Sequence, residues 1–155
     1  MNFIKFIILF LFTLSIYSEE IIGKVIGISD GDTIKLITNN KQIKIRLFGI
    51  DAPERDQEFG TKSKEVLSSL IFKKEVKLIT KSKDQYGRTL GTIFLEDTNI
   101  NLEMVKTGYA WVYKKYNKDS EFINAETNAK EKKLGLWIDK NPIAPWLFRK
   151  TKRSS

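Results

Sequence analysis

The chain contains no cysteine and no histidine. Without cysteine there is no disulfide, no thiolate nucleophile and no sulfur-ligated metal. Without histidine there is no Ser-His-Asp triad, no imidazole acid–base pair and no histidine-ligated zinc. Any catalysis must therefore use carboxylates, Arg, Lys, Tyr, backbone groups or a hard, oxygen-seeking cation. Proline is scarce, at 3 residues. Acidic residues are in the minority, 19 against 27 Lys and Arg, for a net charge of +8. A calculated pI near 9.5 directs attention to polyanions such as nucleic acid or anionic surfaces. At 155 residues, 41% hydrophobic and 12% aromatic, the chain suits one compact domain with its own core.

One long apolar run is present, at the start. Lys5 gives a charged beginning, Phe6–Ile16 is almost wholly apolar, and Ser18 precedes Glu19 and Glu20. The run is shorter than the roughly 20 residues of a spanning helix. This pattern is read as a secretory signal peptide over residues 1–18, with an uncleaved anchor as the alternative. The domain then covers residues 19–155, and the protein is expected to be secreted, or held in the cell envelope or periplasm.

The rest shows no repeat and no low-complexity tract. Ile21–Ser29, Thr33–Thr38 and Lys41–Phe48 are rich in Ile and Val with partial period-two alternation, and Asp-Gly and Asn-Asn turns separate them. Phe59, Val66, Leu67, Leu70 and Ile71 recur at helical spacing. Two more strands follow at about Glu75–Thr80 and Thr89–Leu95. A short helix near Asn101–Thr107 ends at Gly108, and a last one runs from Asp119 or Ser120 to about Lys133. The expected fold is α+β but mainly β, a five-stranded, partly open Greek-key barrel with three helices.

Three segments hold most of the unusual polar residues. Asp30-Gly31-Asp32-Thr33 alone is ordinary turn chemistry. Arg46-Leu47-Phe48-Gly49-Ile50-Asp51-Ala52-Pro53-Glu54 runs a strand Arg into a loop with two carboxylates, which by itself equally describes an exposed ion pair. Asp84-Gln85-Tyr86-Gly87-Arg88 alone reads as a hairpin turn. Together and in this order they resemble the staphylococcal nuclease (thermonuclease) family. The resemblance continues through Gly108-Tyr109-Ala110, Ala125-Glu126, Gly135-Leu136-Trp137 and the Asn141-Pro142 to Arg149 tail, so it covers about residues 21–150. It implies an OB-type barrel with three helices.

The resemblance also implies site roles. Residues matching Asp32, Asp51 and the Ala52 carbonyl bind calcium, those matching Arg46, Glu54 and Arg88 are catalytic, and those matching Asp84, Tyr86 and Tyr113 lie near the bound nucleotide. Ala52 replaces a Thr of the best-known member, but the ligand there is a backbone oxygen. Gln85 replaces a Lys, which removes one phosphate-directed charge. The residue chemistry agrees with these roles. Phosphodiester hydrolysis needs a positioned water and stabilisation of charge on the phosphoryl oxygens. Arg46 and Arg88 offer permanently charged forks for phosphate. Asp32 and Asp51 suit a hard divalent cation, and Glu54 is left to orient or deprotonate water. Asp30 is assigned to support of the turn or of the groups behind the metal ligands, Trp111 either to base stacking or to packing, and the Arg149–Arg153 tail either to added phosphate affinity or, by preference, to a solvated end.

The function expected from this reading is a calcium-dependent nuclease acting on DNA and RNA with little sequence preference. It favours single strands, leaves a 3′-phosphate and a 5′-hydroxyl, and works as a monomer without a stable protein partner. The alternatives are a catalytically idle OB-fold module that only binds nucleic acid, and a basic surface or adhesion protein. The first of these gives no use to three carboxylates facing a polyanion, and the second does not explain the motifs.

Overall fold

A computed structural model describes residues 19–153. The expected leader over residues 1–18 lies outside them. The five main strands are β1 (Glu20–Asp30), β2 (Thr33–Thr38), β3 (Lys41–Leu47), β5 (Glu75–Lys83) and β6 (Thr89–Leu95). Three two-residue strands join them: β4 (Ile50–Asp51), β7 (Thr98–Asn99) and β8 (Trp111–Val112). The helices are α1 (Gly60–Ile71), α2 (Ile100–Lys106), α3 (Ser120–Glu131) and α4 (Pro145–Arg153), with a 3₁₀ turn at Gly135–Ile138. The first three helices stand where the periodicity and capping residues put them. The fourth comes from the tail that the sequence reads as a solvated end.

The strands pair in the order β3-β2-β1-β5-β6, and β3 closes on β6 in parallel. Each neighbouring pair along that order is antiparallel. A closed ring with an odd number of strands cannot alternate direction all the way round. One parallel pair is therefore required, and it falls where β3 meets β6, so the five-stranded barrel is mixed rather than wholly antiparallel. Bulges in β1 and β5 give it curvature.

Alternate residues of the strands fill the barrel: Val25, Ile34, Leu36, Ile45, Leu78 and Ile93 are completely buried, and Leu67 and Ile71 of α1 join the same core. Burial stabilises each such side chain by about 1.5–3 kcal/mol. A second cluster of Ala129, Leu136 and Trp137 sits under α3 with Phe59 and Trp111 packed against it.

One buried polar residue ties the barrel to the loop that carries the site. Asn101 is wholly inaccessible; its Oδ1 accepts from the Ile93 N–H, and its Nδ2 donates to the Phe48 and Gly91 carbonyls. Truncation strands these groups in a dry interior, at about 1–3 kcal/mol for each one left unpaired. Asn101→Ala is expected to lose about 3 kcal/mol in urea unfolding. A loss below about 1 kcal/mol would show that water replaces the amide there.

Candidate active site

The site is built where three loops meet at one end of the barrel. The β1–β2 turn closes because Asp30 Oδ1 accepts the Asp32 N–H at 3.1 Å, so Asp30 supports the turn. Gly31 is required by close approach: a Cβ there would lie 1.9 Å from Ser63 Oγ on α1. The turn buries Asp32 at 5% exposure, where its carboxylate accepts from Thr33 Oγ1 at 3.0 Å and from the Ala52 N–H at 2.7 Å.

Arg46, on β3, bridges the two carboxylates assigned to the cation. Its Nη1 lies 2.9 Å from Asp32 Oδ2 and its Nη2 2.7 Å from Asp51 Oδ1. Nη1 also donates to the Leu47 and Ile50 carbonyls. The second of these contacts needs the chain to turn back at Gly49, which has φ 78° and so the left-handed conformation that glycine tolerates. A guanidinium carries five N–H donors. The Arg46 Nε–H and the second Nη2 hydrogen have no protein acceptor among the described residues.

Asp51 sits on β4, which pairs with β8, and β8 is in turn held by α3. The Val112 N–H donates to Glu126 Oε1 at 2.9 Å, while Lys130 and Lys114 pair with Glu126 Oε2 at 2.8 and 3.2 Å. Burial pushes the Glu126 carboxyl up, but Lys130, the Val112 N–H and Lys114 outweigh it and hold it below the usual carboxylate range. This charged brace fixes the strand behind Asp51.

Arg88 forms the opposite wall. Its Nε donates to Asp84 Oδ2 at 2.7 Å, and Asp84 Oδ1 accepts from the Tyr86 and Arg88 N–H groups. Asp84 thus engages its own loop and orients Arg88. Both terminal nitrogens of Arg88 lack a protein partner among the described residues. The guanidinium lies 5.7 Å from the Tyr86 ring centroid, and Tyr86 is 68% exposed.

Asp32, Arg46, Asp51, Ala52, Glu54, Asp84, Tyr86, Arg88 and Tyr113 all line one open cleft of about 620 Å³. Trp111 does not. It packs edge-on against Trp137 at 4.3 Å and Trp146 at 5.6 Å, which assigns it to packing. The cleft contains a residue that sequence reasoning assigned to solvent. Arg149 of α4 donates to Glu54 Oε1 at 2.7 Å and to Asp51 Oδ2 at 2.8 Å, across 95 and 98 residues of chain. The two carboxylates raise its pKa against the effect of burial, so the guanidinium stays charged at any working pH. A basic residue in an expected frayed tail carries no local signal of such a partner. The Pro145-Trp146 start, a proline at the first helical position, was the available hint of a helix.

Burial pushes the Asp32 carboxyl well above the usual carboxylate range, Arg46 pulls it back only in part, and Asp30 and Asp51 raise it further. The two carboxylates and the neighbouring carbonyls are hard oxygen donors, which fit a hard divalent cation. Asp32 and Asp51 are the side chains that would hold it, with Ala52 beside them as the candidate carbonyl. Among the described residues no three acidic side chains converge on one point, so its other positions fall to backbone oxygen, water or phosphate.

The model of the family described as "Staphylococcal nuclease homologue" matches residues 44–139. A protein of Haemophilus influenzae named "Uncharacterized endonuclease" is 50% identical over 131 residues, covering 84% of this chain and 74% of that one. The "Micrococcal nuclease" of Shigella flexneri is 40% identical over 144 residues, covering 86% and 83%. "Protein ParB" of Escherichia coli is 36% identical over 142 residues, covering 84% and 80%. The motifs, the barrel and these matches agree: the chain belongs to the staphylococcal nuclease family and is a nuclease of that family.

Proposed function

We propose that this nuclease is an exported, calcium-dependent phosphodiesterase that cleaves both DNA and RNA with little sequence preference and favours single strands. The observation that carries the reading is the cleft itself. It sets two arginines with unpaired N–H donors around buried carboxylates and a half-exposed Glu54, beside exposed tyrosines.

The residues divide the work as follows. Arg46 on β3 and Arg88 in the loop before β6 face the scissile phosphate and stabilise the charge that gathers on its oxygens. Glu54 orients a water for in-line attack and takes its proton. A calcium ion held by Asp32, Asp51 and the Ala52 carbonyl would add positive field at the phosphate. Tyr113 is half-buried and carries Trp146 flat on its ring, so the exposed ring of Tyr86 offers the faces for unpaired bases, which stack without sequence preference. Duplex bases are already stacked on each other, so single strands fit these faces better. By family resemblance the products are a 3′-phosphate and a 5′-hydroxyl. Export rests on the Met1–Ser18 leader pattern.

Incubating the purified protein with single-stranded DNA, duplex DNA and RNA, with calcium or with a chelator, tests the reading. Cleavage of all three with calcium, fastest for the single strand, and a loss of at least about 100-fold on chelation are expected. Binding without cleavage under every condition would favour the idle OB module.

A further inference from the structure

Arg149 approaches Asp51 with both terminal nitrogens, Nη2 to Oδ2 at 2.8 Å and Nη1 to Oδ1 at 3.2 Å, while Nη1 also reaches Glu54 Oε1 at 2.7 Å. The Asp51 side chain is 1% exposed and already bonded to Arg46 through Oδ1. Arg149 adds a second bond to Oδ1 and supplies the bond to Oδ2. This contact is built rather than incidental. Trp146, on the same helix, lies flat on the Tyr113 ring at 5.4 Å and 3°, Lys152 pairs with Asp56, and Gln57 Nε2 donates to the Ile143 carbonyl just before α4. At 36% side-chain exposure, Arg149 approaches from the solvent side of the cleft. Arg46 leaves Asp51 Oδ2 to Arg149, so a divalent cation that takes this oxygen meets the Arg149 guanidinium there and repels it.

We propose that Arg149 is a positioning residue of the cation site: it holds the Asp51 and Glu54 carboxylates in place of a divalent cation and gives up Asp51 when one binds. The inference rests on the cation reading of the cleft given above. It has two consequences. The protein binds the cation more weakly than its carboxylates alone would, because the Arg149 pair must first be broken. Cation binding also loosens the seat of α4, and the Trp146–Tyr113 stack reports it.

The test is calorimetric titration of the full chain with calcium alone, for the parent, Arg149→Met, Arg149→Lys and Lys150→Met, with circular dichroism to confirm folding. Arg149→Met is expected to bind calcium about tenfold more tightly, since removing a two-donor ion pair frees Asp51. Arg149→Lys falls between, because a point charge keeps the repulsion without the fork. Lys150→Met removes the same charge next door and is expected to shift the dissociation constant less than about twofold. Calcium should change tryptophan emission in the parent and change it less in Arg149→Met, where α4 is already released.

Equal or weaker calcium binding by Arg149→Met overturns the proposal and leaves Arg149 a structural clamp, with the cation reading intact. If the parent binds no calcium and cleaves equally well in chelator, the cation reading falls and the proposal falls with it. If Lys150→Met tightens binding as much as Arg149→Met, the effect is general charge and the positioning role is overturned.

Discussion

Arg88→Lys is expected to lower kcat by on the order of 10²–10³ while leaving nucleic-acid affinity within a few-fold of the parent. Arg88 fixes its orientation through Nε, bonded to Asp84 Oδ2 at 2.7 Å, and so leaves both terminal nitrogens for a phosphate. A lysine has one ammonium for both tasks. If it pairs with Asp84 it leaves the phosphate, and if it reaches the phosphate it loses the brace that aims it. The loss belongs in kcat because the donors act on charge that grows on the phosphoryl oxygens as the bond breaks. Ground-state docking depends on the net positive charge and the exposed tyrosines, which the substitution preserves. Single-turnover rates at saturating protein, beside anisotropy binding to single-stranded DNA, check this. Near-parental turnover would remove Arg88 from the chemistry and leave it as a loop brace.

Glu54→Gln should cost on the order of 10²–10⁴ in the chemical step, the usual range for loss of a positioned base. The shape of the site survives, because the Gln carbonyl oxygen can still accept the 2.7 Å bond from Arg149 Nη1. What disappears is the oxygen able to take a proton from water. Single-stranded DNA affinity is expected to hold or to rise slightly, since one negative charge facing the phosphate is gone. The same two measurements, with calcium titrated into the variant, separate the possibilities. A parallel collapse of calcium binding would place Glu54 among the cation's ligands instead. Unchanged turnover would mean that another group activates the water.

These outcomes depend on features the sequence exposes to different degrees. Asp30-Gly31-Asp32, Gly49 before Asp51 and Tyr86-Gly87-Arg88 are legible because turns are local, and each needs its own glycine or aspartate within a few residues. The five strands and three of the helices are legible for the same reason, through alternation and capping: Gly108, at φ 76°, follows the end of α2, and Asp119 caps α3 by accepting the Glu121 N–H. Trp111 shows where this stops. Its place on β8 is consistent with either stacking on a base or packing, and it packs because Trp137 and Trp146 arrive against it from distant parts of the chain.

The order of the five main strands and the first three helices, the exclusion of thiol and imidazole chemistry and the family resemblance can be read from the sequence, and through that resemblance so can nine residues that line the cleft. Tertiary structure alone decided three things. It closed the barrel through a parallel β3–β6 pair, because five strands cannot alternate around a ring. It turned the basic tail into α4, whose stability comes from the Trp146 stack on Tyr113 and the contacts of Arg149 and Lys152 rather than from its own residues. It also set Arg149 on Asp51 and Glu54, and left Arg46 joining Asp32 to Asp51. The reason is one of range. Turn chemistry and hydrophobic period act over a few residues and can be read from neighbours, whereas an ion pair closed across nearly a hundred residues depends on where the whole chain has carried its two ends.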